Sequence, residues 1–366
     1  MNGLPPAVGR MSDEWGDVHS AMPKMPQRSG LMPVDSSAIA KPRHVYALHF
    51  DIVHGCQLRC VGCPNSTLEP KIHRIAVDDF HRCLSNIDVE RVHTLRLYNY
   101  GEPLLHRQLA SIVSQIPRQQ WKASVVEIST NAQWVDWAEF EEMLKLEVVT
   151  KLVVSCDGDG TPEQYERLRP PSKWEKLIEF LERATYLRDR WSPATQLWTR
   201  TVVRSKDDAR RWEAVLKPRG WTPEFRRWMA LPQSQENMTG RPVIVPRKAC
   251  VFLADPAEFT THPWFGEVNL LYVDADGSVV PCCMHPRAGV FGNLLTQKYS
   301  EIRNGSARRE MKMAMEKDRA AMPVCGGCDV GPVGNEGPSF WSAITYWSPN
   351  KNELPDEAPT LTASKA

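Results

Sequence analysis

The chain has 366 residues, 42% of them hydrophobic and 24% charged, with a formal net charge of +1. That length can bury a large core and suggests one large domain with a smaller one attached, while the near-neutral balance excludes a global attraction to nucleic acid or membrane, so any such partner must use a local patch. No stretch reaches the roughly 18 apolar residues of a membrane span, and the N-terminus carries Pro and polar residues where a signal peptide needs an apolar run, which predicts a cytoplasmic protein.

Residues 1–43 mix Met, Pro, Gly and Ser without periodicity and end in Lys41-Pro42-Arg43, the pattern of a disordered arm. From His44 onward, segments rich in β-branched, aromatic or Leu residues at 45–53, 92–99, 124–129, 151–156, 195–203 and 222–231 predict six strands. Helical patterns near 77–87, 107–117, 136–146, 173–190 and 206–217 lie between them, several opened by Asp, Ser or Pro. Strands alternating with helices predict an α/β fold, a parallel sheet covered by helices, over residues 44–240.

The pattern breaks at 232–247 into Pro, Gln, Asn and Gly, which predicts a linker. A second unit, 241–337, has as its clearest element the run Val268 to Val273, then Asp274-Ala275-Asp276-Gly277, then Ser278-Val279-Val280, an Asp-Gly hairpin signal. Asp274 and Asp276 also resemble the start of a calcium loop, but the distal Glu and flanking helices that such a loop requires are missing. The tail, 338–366, is Ser-, Pro- and Ala-rich and is expected to fray.

Ten cysteines are many for a reducing compartment, where stable disulfides are rare, and point to metal or redox chemistry. Cys83 and Cys156 stand alone and read as buried small hydrophobes. Cys56, Cys60 and Cys63 place three thiols within eight residues, directly after the first predicted strand, where one loop can wrap one metal centre. Soft thiolates at this density suit zinc or iron-sulfur; a closed zinc site wants a fourth ligand, for which His54 and His73 are candidates without finger-like spacing.

In this region the sequence resembles the radical S-adenosylmethionine (SAM) superfamily, whose signature Cys-x3-Cys-x2-Cys follows the first strand of a partial (β/α)6 barrel of TIM type. Tyr100-Gly101-Glu102-Pro103 follows the second strand, where the family has a turn that receives the SAM amino group. Ser129-Thr130-Asn131 ends the third, where the family meets the ribose, and Ser155-Cys156-Asp157-Gly158 ends the fourth, followed by Tyr165-Glu166-Arg167. The resemblance implies SAM contacts from Gly101, Glu102, Asn131, Ser155 and Arg167, the last as a guanidinium fork on a carboxylate. Gly62 departs from the family, which commonly has an aromatic residue just before the third cysteine.

Cys250, the pair Cys282-Cys283 and Cys325-Gly326-Gly327-Cys328 offer four more ligands if one of the pair is spare. A zinc ribbon is one reading. The layout also resembles the C-terminal SPASM or twitch extension of radical SAM enzymes, with too few cysteines for two auxiliary clusters, so the twitch type is preferred. Neighbours on a strand point to opposite faces, and Cys282 is taken as the ligand.

The resemblances together imply two 4Fe-4S clusters, one on Cys56, Cys60 and Cys63 that cleaves SAM to a 5'-deoxyadenosyl radical, and an auxiliary one on Cys250, Cys282, Cys325 and Cys328. They also imply an external electron donor such as flavodoxin or ferredoxin, and hydrogen abstraction from an amino-acid- or peptide-like substrate, leading to oxidation, cross-linking or rearrangement. Residues 198–228 carry nine Lys or Arg against four Asp or Glu, punctuated by Trp198, Trp212, Trp221 and Trp228. Basic residues interleaved with aromatics suit a nucleic-acid backbone and its bases, although Arg stems packed over tryptophans on a barrel helix give the same pattern. A radical SAM isomerase acting on an amino-acid-modified base during viral DNA hypermodification is therefore one alternative, and a non-catalytic zinc protein another.

Overall fold

Runs of β-branched residues form strands here whose central members are largely buried on both faces, and amphipathic segments between them cover the sheet. The computed structural model describes residues 43–240, 242–246, 250–253 and 270–331. The predicted arm up to residue 42, the tail, and Val268 and Asn269 of the hairpin lie outside the described residues.

Strand β1 (His44–Phe50) leads through the thiol-bearing loop to helix α1 (Val77–Ser85), β2 (Arg91–Arg96), α2 (Leu109–Val113), β3 (Lys122–Thr130), α3 (Trp137–Lys145) and β4 (Lys151–Asp157). Next come α4 (Pro162–Leu168), α5 (Trp174–Trp191), β5 (Gln196–Val202), α6 (Lys206–Leu216) and β6 (Thr222–Arg226). The C-terminal part adds β7 (Leu270–Val273), β8 (Ser278–Val280), β9 (Gly292–Asn293), α7 (Tyr299–Arg303) and α8 (Ser306–Asp318). Helix starts carry their own signals. Asp136 accepts from the Ala138 and Glu139 N–H groups, Ser205 and Asp208 form a capping box, and Thr161 caps α4 ahead of Pro162. All six strands expected between 45 and 231 are present, whereas α4, seven residues long, was not among the expected helices.

The sheet order is β9-β8-β7-β1-β2-β3-β4-β5-β6, parallel from β7 to β6 and antiparallel in the β7-β8-β9 meander. Side-chain contacts show that it curls. The Tyr98 hydroxyl, just beyond β2, meets the Arg200 guanidinium of β5, and Glu127 of β3 meets Arg200 at 2.5 Å across the intervening β4. Strands lie about 4.8 Å apart in a flat sheet, so contacts that skip one or two strands place these residues on a concave face. The convex face carries the apolar core, with Phe50 against Phe80 of α1 and Trp137 and Phe140 of α3 against Phe180 of α5. The result is a partial barrel with a C-terminal antiparallel extension.

Sequence patterning predicts the β7-β8 hairpin but not its neighbour. Leu270 to Val273 pair in register with Ala47 to Phe50, so the hairpin extends the barrel sheet at its β1 edge. The pairing sets two carboxylates at the ends of adjacent strands: the Asp51 N–H donates to Val273 O at 2.8 Å, and Asp51, His54 and Asp274 bring ligand atoms within 4.8 Å of one another. Burial, then the charges of Asp51 and Asp276, push the Asp274 carboxyl up from 3.8 to about 7. Its contribution to stability is thus present below about pH 4 and lost as the pH rises through about 7. Asp274→Asn is expected to raise Tm at pH 8, with the gain shrinking toward pH 4; melting curves of both proteins across that range check it, and a pH-independent gain would contradict the assignment.

Candidate metal and cofactor site

The loop after β1 is shaped by backbone hydrogen bonds that turn its sulfurs to one side. Arg59 and Val61 N–H groups donate to Pro170 and Leu168 carbonyls at 2.6 and 3.0 Å, so the end of α4 braces the loop, and Cys63 N–H donates to Cys60 O at 2.9 Å. The Arg59 guanidinium donates to the Cys56 and Leu58 carbonyls at 2.7 and 2.9 Å. Cys56, Cys60 and Cys63 are thereby brought within electrostatic reach of one another. Burial pushes all three thiols up, Cys63 to about 12, and the neighbouring thiolates push Cys56 and Cys63 further. Arg169 acts in the opposite direction on Cys60 and Cys63. Three crowded sulfurs beside a buried cation fit a thiolate-bound iron-sulfur cluster, whose metal charge relieves the repulsion that the thiolates alone would feel.

The next turn is fixed by a close approach. A Cβ on Gly101 would lie 1.4 Å from Val53 O, so only glycine fits. The Asp51 carboxylate accepts from the N–H groups of Asn99, Tyr100 and Gly101 at 2.6 to 3.2 Å, and the Asn65 amide donates to Tyr100 O at 2.8 Å. Glu102 follows, buried, with its carboxylate accepting from Thr130 Oγ1 (2.7 Å), Asn131 N (2.7 Å) and Leu104 N (3.0 Å). Burial pushes it up to about 7 against those bonds. Glu102 therefore ties the turn after β2 to the turn after β3. Asn131 completes the link, donating from Nδ2 to Cys56 Sγ at 3.3 Å and accepting from Gln57 Nε2 at 3.0 Å.

Ser155 projects on the concave side, its hydroxyl 3.5 Å from that of Ser129. Arg167 is placed differently: its side chain is 51% exposed and pairs with Glu236 at 3.9 Å. The arginine that the structure brings to the thiol loop is Arg169, buried and paired with Asp157 at the end of β4. The only signal for it in the sequence is its position two residues past Arg167. Residues after β6, expected as a linker, fold back over the thiol loop: Glu236 N–H donates to Val61 O at 2.9 Å, Gln235 N–H to Ser66 Oγ at 3.1 Å and Thr67 Oγ1 to Gln233 O at 2.5 Å. Trp228 covers Gly62, its ring carbon 3.0 Å from where a Cβ would stand.

Four further thiols gather beyond β7. Cys250, Cys282 and Cys328 share one apolar cluster with Val251, Leu253, Met284 and Met315, and Cys325 packs against it. Cys283 points elsewhere, lying against the Tyr272 hydroxyl and the charge of Arg96. The Cys325–Cys328 turn is organised by Arg319, 1% exposed, which donates to the carbonyls of Cys325 (3.1 Å), Val330 (2.7 Å) and Cys328 (2.9 Å). Burial pushes Cys250 up to about 12 and raises Cys325 and Cys328, while Arg319 lowers all three. A buried cation acting on three of these four thiols fits a second anionic metal-sulfur group. Sequence reasoning missed Arg319, which looks like one more charge on an exposed helix.

Residues 265–329 match the SPASM family model, an iron-sulfur cluster-binding domain. Among solved structures, native anSMEcpe with bound AdoMet and Cp18Cys peptide superposes with a TM-score of 0.50 at 15% identity, covering 78% of this chain and 89% of that one. The chain has a radical SAM fold with a C-terminal SPASM region. BtrN in complex with AdoMet and 2-DOIA gives a TM-score of 0.45 at 17% identity, over 78% of this chain and 93% of that one. No curated protein sequence matches the chain significantly. Among the described residues of this radical SAM fold, no helix is long and apolar enough to cross a membrane.

Two substitutions test the supports of the two sites. Gly101→Ala is expected to cost at least about 3 kcal/mol, because the new methyl meets backbone rather than a movable side chain; urea unfolding measures it. Arg319→Met strands three carbonyls and is expected to cost about 3 kcal/mol or more, with amide hydrogen exchange rising at 325–330 while the 56–63 loop keeps its protection.

Proposed function

We propose that this chain is a radical SAM enzyme acting on an amino-acid- or peptide-like substrate. The observation that carries the reading is the convergence of Cys56, Cys60 and Cys63 with Asn131 and the Gly101-Glu102 turn at the carboxyl ends of β1, β2 and β3, beside a buried arginine. Cys56, Cys60 and Cys63 would hold a 4Fe-4S cluster with one iron left open, and Cys250, Cys282, Cys325 and Cys328 an auxiliary one. When bound, the first cluster and SAM supply one-electron cleavage of a carbon-sulfur bond and hydrogen abstraction from an unactivated carbon, with the electron drawn from a donor such as flavodoxin or ferredoxin.

The protein's own work is positioning. Glu102 holds the two turns at a fixed separation, and Asn131 orients Cys56. Gly101 presents backbone where no side chain would leave room. Ser155 and the backbone of the Gly101-Glu102 turn would receive the polar groups of SAM, with Arg169, rather than the exposed Arg167, as the cation beside the thiol loop. The apolar brace of Val61, Leu168, Met238 and Trp228 keeps water from the thiol loop. Cys282 is preferred over Cys283 as ligand because it alone of the pair belongs to the cluster of Cys250 and Cys328.

Support for a peptide-like substrate comes from the anSMEcpe complex, which contains a peptide in a protein of this fold. The reading as an isomerase on modified DNA draws on the basic, Trp-punctuated stretch, and the structure scatters that stretch. Trp212 and Trp221 are in the core, Trp228 covers Gly62, and Arg200, Arg211, Arg219 and Arg226 pair with Glu127, Asp208, Glu182 and Glu224. These residues do not form one face.

Anaerobic reconstitution should give about eight irons per chain and, with dithionite and SAM, 5'-deoxyadenosine. Replacing Cys56, Cys60 and Cys63 together by Ala should abolish that product and leave about four irons. Tightly bound zinc with SAM left intact would instead support the non-catalytic zinc reading.

A further inference from the structure

Strand pairing brings three ligand side chains together outside both thiol groups. Asp51 follows β1 and Asp274 follows β7, and the parallel register of Phe50 with Val273 sets the two carboxylates side by side where the strands end. His54 comes from the loop between Asp51 and the first cysteine, held by a short antiparallel ladder of Val53 and His54 with Arg74 and His73. One ligand atom from each of Asp51, His54 and Asp274 lies within 4.8 Å of the other two. Asp51 is fully buried, and the other two are half-buried.

The cluster needs a positive partner. The Asp274 backbone is fixed, its N–H donating to Ser278 O and its carbonyl accepting from Gly277 N, both at 2.9 Å, so the side chain is held at the base of the hairpin turn. Its Oδ1 is buried with no hydrogen-bond partner among the described residues. The charges that act on it, those of Asp51 and Asp276, are both negative. A buried carboxylate oxygen without a donor is costly, and a second carboxylate beside it adds to the cost. A proton between Asp51 and Asp274 relieves one charge; a divalent cation relieves both and also engages the His54 imidazole, which a proton leaves out. Asp51 retains capacity for it. A carboxylate has about four lone-pair directions, and three N–H donors meet this one, with Gly101 N–H divided between Oδ1 at 3.0 Å and Oδ2 at 3.2 Å. Carboxylates that ligate metals are commonly held from behind by hydrogen bonds of this kind.

We infer that Asp51, His54 and Asp274 form a divalent-cation site at the junction of β1 and β7. Ligand atoms about 2.1 Å from one ion lie up to about 4.2 Å apart, so the three need close by only a fraction of an ångström each. One imidazole with two carboxylates suits a transition ion such as Mn2+ or Zn2+ better than calcium, which takes oxygen ligands alone. The site differs from the calcium loop that Asp274 and Asp276 resemble in the sequence, because two of its ligands come from the end of another strand. His54 stands two residues before Cys56, and Cys282 follows β8 of the hairpin. The ion would therefore fasten the start of the thiol loop to the hairpin that leads to the second thiol group. The site does not depend on either thiol group holding metal.

The test is titration with Mn2+ of the reconstituted full-length protein, first passed over a chelating resin, read as loss of the free-ion electron paramagnetic resonance signal. Mn2+ is the probe because it prefers carboxylates to thiolates. Saturable uptake of a single ion per chain is expected, and Asp274→Asn and His54→Gln should each weaken it about tenfold or more. Melting gives a second reading. Mn2+ should raise the Tm of the wild type and leave that of Asp274→Asn unchanged, although in chelator the variant melts higher, a pattern that a misfolded variant would not give. No saturable uptake by the wild type, or equal uptake by the wild type and either variant, would overturn the inference.

Discussion

The Asp51 carboxylate is the contact on which both candidate sites depend. It closes β1, the strand that pairs with β2 on one side and β7 on the other, and its two oxygens accept the three N–H groups of Asn99, Tyr100 and Gly101. Hydrogen bonds to a charged acceptor are worth roughly 1.5–3 kcal/mol each. Burial works against them, pushing the carboxyl up to about 6. The turn that presents Gly101 and Glu102 is therefore held by an anion that the fold must first desolvate. This arrangement is stable only because the backbone donors replace water, and because Gly101 lets the chain pass against Val53 O. Tyr100, buried within electrostatic reach of Cys282, Cys283 and Cys63, takes its position from the same turn.

Each thiol group is partnered by one buried arginine, and the two arginines are used differently. Arg169 follows the end of α4, is paired with Asp157, and reaches the thiol loop from a helix that also braces the loop backbone. Arg319 follows the end of α8, donates to the carbonyls of Cys325, Cys328 and Val330, and lowers Cys250, Cys325 and Cys328. In the first site an acid takes up much of the guanidinium's charge. In the second, Arg319 acts on Cys250, Cys325 and Cys328 and on Asp329 as well.

Much of the barrel was legible because fully buried parallel strands are continuous apolar runs and the helices between them are amphipathic with capping residues at their starts. The thiol spacing, Gly101 and Asn131 were legible as well, since short motifs on successive strand ends survive in the linear order. What was not legible depends on long-range contacts. The pairing of β7 with β1 joins residues more than two hundred positions apart, and nothing in Leu270 to Val273 names its partner. Arg169 and Arg319 are surrounded by other charged residues in the chain, and only burial separates them from solvated neighbours. The basic stretch 198–228 misleads for the complementary reason: a local count of charge cannot see that Glu127 and Glu182 reach in from other elements to pair with it.

The segment after β6 shows how composition and tertiary role can part. Pro, Gln, Asn and Gly at 232–240 carry no periodicity, which is the usual mark of a linker, and the segment forms no helix or strand. Its backbone nonetheless bonds to Val61, Ser66 and Thr67, and Met238 packs with Val61 and Leu168. The departure at Gly62 then has a physical reading. A Cβ there would press on the Trp228 ring at 3.0 Å, so the small residue in the loop and the large one after β6 share one space. An aromatic surface beside the third cysteine is present after all, delivered from the far edge of the sheet. The loop that carries the thiols is thereby held by α4 and by the segment after β6, and its geometry is set by the partial barrel around it rather than by its own eight residues.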